Sequence, residues 1–242
     1  MRRLLRRIRG RWRRIGVGAF GRESLASTYL RGDGLEIGAL HEPLQVPSAA
    51  RVRYVDRLPI EDLRQLYPEL RGLPLVAVDI LDDGERLITV ADESQDFVIA
   101  NHFIEHCEDP IGTLETFRRV LRPGGIVYLA VPDKRFTFDR NRPLTTIVHL
   151  LADHRQGPAI SRREHLEEWT RIVGGESEEG RVQAHVEHLE RTGYSIHFHV
   201  WTATSWLEFI LAVHGLLELE VEAFLSAGHE CITILRKPAP PG

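Results

Sequence analysis

The sequence predicts an α/β fold: a doubly wound, mostly parallel sheet of seven strands, with a terminal antiparallel strand pair and a helical insertion. Short apolar segments alternate with amphipathic segments through the first half of the chain, which is the pattern of a parallel sheet with helical crossovers. The segment 95–101, "QDFVIAN", is almost wholly apolar, as expected of a central strand covered on both faces. Two apolar segments near the end are joined by the short turn "LSAG", so they are predicted to pair antiparallel.

The predicted strands are short segments rich in apolar residues. They are residues 34–38, 51–56, 75–80, 95–101, 126–132, 217–224 and 229–237. A short helix is predicted over 59–70, with Pro59 in its first turn. A second helix is predicted over 109–121, where Asp109 is the N-cap. A third is predicted over 202–215, capped by Thr202 or Thr204 and ended by Gly215.

These elements divide the chain into an N-terminal arm, one domain and a short tail. The arm is residues 1–16, the domain is residues 17–237, and the tail is residues 238–242. Within the domain, amphipathic helical patterns over about 143–192 interrupt the alternation of strands and helices. We expect this insertion to form a lid that determines acceptor specificity.

The arm holds eight arginines and no acidic residue. On a helical wheel its apolar side chains fall within one stripe that contains no arginine, namely Leu4, Leu5, Ile8, Trp12 and Ile15. That pattern is typical of a cationic helix lying in a membrane interface. A helix docked on its own domain, an RNA-binding arm and a disordered tail remain alternatives.

The overall composition is that of a cytoplasmic globular protein. The net charge is −4, and no apolar run approaches the eighteen residues that would suggest a membrane span. The two cysteines are too few for a disulfide framework, which favours a reducing compartment. We therefore predict a cytoplasmic protein, peripheral to the inner face of the membrane if the arm binds there, and not a nucleic-acid-binding one.

Acidic side chains lie at or near the ends of the first three predicted strands, where ligands bind in doubly wound sheets. Asp56 follows Gly38 by eighteen residues, a spacing suited to an acid that accepts hydrogen bonds from a ribose diol. Glu36 lies within the first strand, and Asp79 lies in the third. Three such acids suit a ligand with hydroxyl groups and an ammonium, and they repel a pyrophosphate.

The segment "QDFVIANHFIEHCEDPIGTLETFRRVLRPGGIVYLAVPD" resembles class I S-adenosylmethionine-dependent methyltransferases, particularly the type 11 methyltransferase group. The order of the aspartate, the "EH" pair, the "DP" pair and "RVLRPGG" is that of the group, and the terminal strand pair fits its seven-stranded sheet. The resemblance covers residues 33–133 by motif and 195–237 by topology. It implies S-adenosylmethionine as the cofactor.

The resemblance also implies a set of cofactor-binding residues: Glu36, Gly38, Ala39, Asp56, Asp79, Ile80, Asn101 and His102. In that set Asp56 binds the ribose, Asp79 with Ile80 frames the adenine, and Asn101 with His102 lines the methionine end. Leu40 and Glu42 depart from the pattern because they replace later glycines. Only about thirteen residues separate the first two strands, so the first crossover helix is expected to be shortened or absent.

Transfer to a hydroxyl oxygen also requires a base, and the predicted catalytic residues are Asp133, His106 and His199. Asp133 directly follows the fifth strand, and His106 belongs to the "EH" pair. His199 alternates with His197 on an extended segment, so the two are expected to share a face. A partly buried, hydrogen-bonded structural histidine is the alternative for each of the histidines, and an ordinary turn is the alternative for Asp133.

No metal site is predicted. Two histidine pairs have helical spacing, His102 with His106 and His185 with His188, but no cysteine cluster or HExxH motif accompanies them.

The predicted function is S-adenosylmethionine-dependent O-methylation of a sugar, a glycan or another small hydroxylated acceptor, in polysaccharide biosynthesis. The alternatives are a nicotinamide-dependent oxidoreductase on the same fold and a non-catalytic module that docks on a membrane or on RNA.

Overall fold

The computed structural model describes residues 21–240, in which seven strands form a single sheet. In chain order the strands are β1 (Gly32–Ile37), β2 (Ala50–Asp56), β3 (Ile80–Leu81), β4 (Gln95–Asn101), β5 (Leu121–Pro132), β6 (Glu220–Ser226) and β7 (Glu230–Arg236). Their order across the sheet is β3-β2-β1-β4-β5-β7-β6. The first five strands are parallel, and β7 runs antiparallel to both β5 and β6. The predicted fold class is confirmed, and the order reverses between β1 and β4, where ligands bind in such sheets.

The α-helices of the described residues are α1 (Arg22–Tyr29), α2 (Ile60–Leu66), α3 (Pro110–Val120), α4 (Ile147–Gln156), α5 (Arg162–Ile172), α6 (Glu179–Thr192) and α7 (Ala203–Leu217). Asp109 accepts a hydrogen bond from the Gly112 N–H at 2.9 Å, so it is the N-cap of α3, as predicted. Thr202 caps α7 by accepting from the Ser205 N–H. This helix was predicted to end at Gly215, but it continues to Leu217. The left-handed residue that ends it is Glu218 (φ 48°).

The two faces of the sheet are covered differently. On one face α3, α4 and α7 pack against a core that includes Val98 and Leu129. On the other face α1, which the sequence analysis missed, packs Leu25 and Leu30 against a core that includes Tyr128. Residues 38–49 form turns and no helix, so the first crossover helix is absent from this described segment, as expected.

The third strand is much shorter than predicted. Residues 75–79 are not part of the ladder, and only Ile80–Leu81 pair with β2. The Asp79 N–H donates to the Tyr54 carbonyl, but the Tyr54 N–H donates to the Asp79 carboxylate at 2.8 Å. Because the side chain takes the place of a backbone acceptor at this sheet edge, regular pairing begins one residue later.

The helices of the predicted insertion form a second, smaller core. Leu166 of α5 and Val186 of α6 pack against Ile196 and Phe198 in the segment 195–201. That segment runs along the carboxyl end of the sheet, where Trp201 makes an isolated parallel bridge with Asp133.

The predicted N-terminal arm, residues 1–16, lies outside the described residues. Among the helices of residues 21–240, none has both the length and the apolar character needed to cross a membrane.

Candidate active site

A cavity of about 390 Å³ opens at the carboxyl ends of β1, β2 and β4. Its walls come from the turns after these strands, from α2 and its following 3₁₀ turn, and from the segments around Trp169 and 194–197. Its volume falls in the range of small-molecule and cofactor sites. The location is the one that strand order predicts for a ligand.

The turn after β1 lines the cavity with Gly38 and Leu40. Gly38 has φ 62° and Leu40 has φ 51°, both in the left-handed region. A glycine adopts this conformation freely, whereas a leucine adopts it at a cost of about 1–2 kcal/mol. The loop therefore keeps a glycine-like backbone at residue 40, where the resemblance expected a glycine.

Asp56, at the end of β2, lines the cavity as predicted. One carboxylate oxygen accepts a long hydrogen bond of 3.4 Å from the Leu58 N–H. Burial raises the pKa of Asp56 above its ordinary value, because the charged carboxylate is partly removed from water. The carboxylate keeps acceptor capacity for a ligand diol.

Glu36 and Asn101, both predicted to bind the cofactor, do not line the cavity. The Glu36 side chain is buried, and its carboxylate accepts the Leu44 N–H at 2.9 Å and the Asn101 amide at 3.4 Å. Burial raises the pKa of Glu36 to about 7. Its observed contacts fasten the turn between β1 and β2, and none of them is directed at the cavity.

Asp79 and Ile80 do not line the cavity either, since the Asp79 carboxylate holds the Tyr54 N–H. The structure instead brings Asp83 and Gly84, which follow β3, into the wall. A Cβ atom on Gly84 would lie 2.4 Å from the Ile37 side chain, so only glycine fits this close approach. Ala39 lines a smaller cleft beside the cavity.

His102 lines the cavity after β4 and holds a positive φ of 50°. Its ring lies between two carboxylates, 2.9 Å from Glu230 and 3.5 Å from Glu105. Burial alone would lower the pKa of His102, but the hydrogen bonds to Glu105 and Glu230 outweigh it and raise the pKa to about 9. His102 is therefore a cation at neutral pH.

Of the three predicted catalytic residues, Asp133 and His199 lie away from the cavity wall. The Asp133 side chain is buried, pairs with Arg135 at 2.6 Å and accepts the Ala203 N–H at 3.0 Å. It thus binds the first turn of α7. His199 is buried among the insertion helices, where its ring packs against His149 and His165.

His106 does line the cavity, and His197 joins it there. The two rings meet edge to face with centroids 4.6 Å apart. His106 Nδ1 lies 2.9 Å from the Ile196 carbonyl oxygen and 3.0 Å from the Ser195 hydroxyl. Burial, with a smaller contribution from His197, lowers the pKa of His106 to about 4 and keeps the ring neutral at pH 7.

His197 is oriented by a carboxylate. Its Nδ1 lies 2.6 Å from Oδ2 of Asp139, and the His197 and Asp139 side chains are 11% and 1% exposed. This contact uses Nδ1 and leaves Nε2 as the ring nitrogen available to a ligand. Arg142, itself 1% exposed, binds the other Asp139 oxygen at 2.9 Å and the His197 carbonyl at 2.7 Å.

Two groups of described residues have donor atoms close enough to hold a metal ion. His106 and His197 of the cavity wall form one group with the buried Glu105, and His149, Asp153, His165 and His199 form the other. Both carboxylate oxygens of Glu105 are buried without a hydrogen bond of acceptable geometry, although Oε1 lies 3.5 Å from Nδ1 of His102.

Asp139, Asp83 and Gly84 were not predicted as site residues from the sequence. His197 and His199 were expected to share one face of an extended segment. Asp139 lies in the turn "KRFTFDR", which carries no signal that separates it from an ordinary loop acid. The segment 195–201 is not a regular strand, so the two histidines enter different clusters. A buried partner for a histidine is a three-dimensional property that spacing alone does not reveal.

Three solved structures illustrate the similarity to known proteins. An S-adenosylmethionine-dependent methyltransferase from Aquifex aeolicus is 11% identical (88% of this chain, 85% of that chain, TM-score 0.44). One from Methanosarcina mazei is 15% identical (88% and 96%, TM-score 0.46). One from Thermotoga maritima is 16% identical (86% and 83%, TM-score 0.45).

No curated protein matches the sequence. Residues 28–178 match a family model described as a methyltransferase domain, and this match covers well over half of the chain. It begins before β1 and ends after α5, so it includes the turns that line the cavity on the sheet side. The chain therefore belongs to the methyltransferase-domain family, which confirms the methyltransferase resemblance seen in the sequence motifs.

Proposed function

We propose that the protein transfers a methyl group from S-adenosylmethionine to a hydroxyl oxygen of a small polar acceptor, such as a sugar or a glycan. The observation that carries this proposal is the His197–Asp139 pair, because it places an oriented base in the same cavity as Gly38 and Asp56. Oxygen acceptors need such a base, since a neutral hydroxyl is a poor nucleophile.

The residues of the cavity fit S-adenosylmethionine. Asp56 offers a carboxylate to a ribose diol, and Ile37 with Phe103 offers apolar surface to an adenine ring. Glu69 and Asp83 add negative charge, which suits a cationic sulfonium and an ammonium. The acids Asp56, Glu69 and Asp83 outnumber the cations Arg57 and His102 in the wall, so a pyrophosphate is disfavoured and a nicotinamide cofactor fits this cavity less well.

When bound, S-adenosylmethionine supplies a methyl group already activated on a sulfonium. The chain must therefore position the acceptor, exclude water and remove one proton. Nε2 of His197 would accept the proton that the acceptor hydroxyl loses on methylation. Asp139 holds the imidazole through Nδ1 and stabilises the imidazolium that results.

His106 has a supporting part in this proposal. A pKa of about 4 makes it a weak base at neutral pH. Its Nδ1 contacts with Ile196 and Ser195 hold the segment that carries His197. We assign it the role of a positioning residue.

The insertion is proposed to act as the acceptor lid. Trp169 of α5 and Tyr194 after α6 line the cavity together with Phe138. Aromatic rings that combine apolar faces with polar edges suit an acceptor with both carbon and hydroxyl surface. Substitutions at these three positions should therefore change acceptor preference more than cofactor affinity.

Calorimetry and methyl transfer test the proposal together. We expect S-adenosylhomocysteine to bind and NAD not to bind. With labelled S-adenosylmethionine, nucleotide sugars and lipid-linked glycans are the acceptors to screen. Failure to bind S-adenosylhomocysteine at millimolar concentration would overturn the proposal and favour the non-catalytic module.

We also propose that residues 1–16 bind a membrane surface, on the basis of their arginine content and apolar stripe. The full chain should sediment with vesicles that contain anionic lipid, and a chain lacking residues 1–16 should not. Unchanged sedimentation after the deletion would exclude this role.

A further inference from the structure

Four side chains with metal-binding atoms converge between the insertion helices and the segment 195–201. His149 and Asp153 lie one turn apart on α4, His165 lies on α5, and His199 lies on the segment. One donor atom from each lies within 4.8 Å of the others. We call these four residues the insertion cluster; none of them lines the cavity.

The distances within the insertion cluster match a tetrahedral site. Nε2 of His149 lies 2.8 Å from Nε2 of His165 and 3.0 Å from Oδ2 of Asp153. Nε2 of His165 lies 4.0 Å from the same oxygen. A tetrahedral zinc ion with bonds of about 2.0–2.1 Å separates its ligand atoms by roughly 3.3 Å, a value inside this range.

Two of the inward atoms lack hydrogen-bond partners. Nδ1 of His199 is buried without one, and the His199 side chain is fully buried. Oδ2 of Asp153 is also buried without a hydrogen bond of acceptable geometry, although it lies 3.0 Å from His149. Buried polar atoms are rarely left unpaired, since each costs about 1–3 kcal/mol.

The second polar atom of Asp153 and of His199 contacts a neighbouring protein group, as is usual for side chains that bind a metal ion. Asp153 Oδ1 accepts a hydrogen bond from the Ser161 hydroxyl at 2.7 Å. Nε2 of His199 lies 3.4 Å from the Glu108 carbonyl oxygen, so its outer nitrogen is directed at a carbonyl. Such outer contacts orient ligands and fix the histidine tautomer.

A metal-free arrangement satisfies the insertion cluster less well. A hydrogen bond between His149 and His165 accounts for one contact, but it leaves His199 Nδ1 and Asp153 Oδ2 without partners. Imidazole nitrogens and carboxylate oxygens are both ligands that zinc takes in proteins. The His149 side chain is 31% exposed, which gives an ion a route of entry.

We propose that the insertion cluster binds one divalent transition-metal ion, zinc in the first place, as a closed four-ligand structural site. The ion would join α4 and α5 to the segment that carries His197, two residues before His199. It would thereby fix the wall of the cavity without taking part in chemistry. No sequence motif marks this site, because its ligands come from three separate segments.

Metal analysis of the full chain, expressed without a histidine tag in zinc-supplemented medium, tests the proposal. We expect about one zinc per chain. Replacement by cobalt should produce the visible absorption of a tetrahedral N/O site. Removal of zinc by a chelator should lower the thermal midpoint, and added zinc should restore it.

Substitutions assign the ion to the insertion cluster. Asp153→Asn and His165→Gln should each weaken zinc binding by at least about 100-fold, as loss of a ligand exceeds the effect of an outer contact. His188→Gln, at an exposed histidine of α6, should bind zinc like the wild type. His197→Gln should also retain the zinc ion. Loss of zinc in this variant would instead assign the metal to the group formed by Glu105, His106 and His197.

The wild-type measurements remain decisive if a ligand variant does not fold. A folded wild-type chain that contains no zinc, and binds added zinc or cobalt no more tightly than millimolar, would overturn the proposal. These readouts do not depend on methyl transfer, so failure of the metal site and failure of the proposed function are distinguishable.

Discussion

Nδ1 of His197 and Oδ2 of Asp139 lie 2.6 Å apart, and Arg142 binds the other Asp139 oxygen at 2.9 Å. Burial opposes ionisation of Asp139, but the hydrogen bond with His197 and the hydrogen bond and charge of Arg142 outweigh it and lower the pKa. Asp139 is therefore ionised at neutral pH. Because Arg142 holds the buried Asp139 carboxylate in place, the carboxylate in turn fixes one orientation of the His197 ring. A mobile surface histidine has no such fixed orientation.

His197→Gln should reduce methyl transfer by about 100- to 10,000-fold, the range in which a general base contributes. The affinity for the cofactor should hardly change, because His197 is proposed to contact the acceptor and not the cofactor. The rate is measured with labelled S-adenosylmethionine and the affinity by calorimetry with S-adenosylhomocysteine. His188→Gln is the matched control, and wild-type rates for His197→Gln would exclude the proposed base.

Asp56→Asn should weaken S-adenosylhomocysteine binding by about 10- to 100-fold, since a hydrogen bond to a charged group contributes about 1.5–3 kcal/mol. Asp79→Asn is the matched control, because Asp79 does not line the cavity and an amide oxygen can still accept the Tyr54 N–H. Calorimetry measures both. Equal losses in the two variants would show that Asp79 contacts the cofactor as well.

The strand ends could be predicted from the sequence because apolar runs and turn residues report burial and chain direction locally. Asp56, Gly38 and His102 reach the cavity for that reason. Asp79 does not, since its side chain replaces a backbone acceptor at a sheet edge, an exchange that no pattern of residues reveals.

The contacts of the predicted catalytic residues, in contrast, could not be predicted from the sequence. Asp133 directly follows a strand, yet it binds Arg135 and the first turn of α7. His197 obtains its partner from a turn 58 residues earlier in the chain, and Arg142 closes that contact. Helix α1 was missed because its apolar residues are few and it follows the arm closely.

Removal of Arg142 should destabilise the protein strongly. Arg142→Met leaves Asp139 buried with one partner fewer, and breaking a buried ion pair costs about 3–5 kcal/mol. Arg140→Met, at an exposed arginine of the same turn, should change stability by less than about 0.5 kcal/mol. Urea unfolding at pH 7 compares the two, and a small effect of Arg142→Met would mean that the ion pair is not formed in solution.

Leu40 offers a test of backbone strain. At an ordinary position alanine is more stabilising than glycine by about 0.5–1 kcal/mol. At residue 40, with φ 51°, Leu40→Gly should be at least as stable as Leu40→Ala, because glycine avoids a cost of about 1–2 kcal/mol. Gln65→Ala and Gln65→Gly, on an exposed turn of α2, should show the ordinary order. Urea unfolding of all four variants measures the difference, and the ordinary order at residue 40 would contradict the left-handed conformation.

Glu36 should make stability depend on pH. Burial raises its pKa from 4.5 to about 7 in the folded chain, so the folded state holds a proton that the unfolded state has released between these values. The contribution of Glu36 to the free energy of unfolding is therefore greatest below pH 4.5 and falls as the pH rises to 7, by about 3 kcal/mol in all. Glu36→Gln removes this titration while an amide oxygen can still accept the Leu44 N–H. Unfolding in urea at pH 5 and pH 8 should show that Glu36→Gln loses less stability than the wild type over this interval. Parallel losses in the two proteins would mean that Glu36 is ionised throughout, and that the turn after β1 admits water.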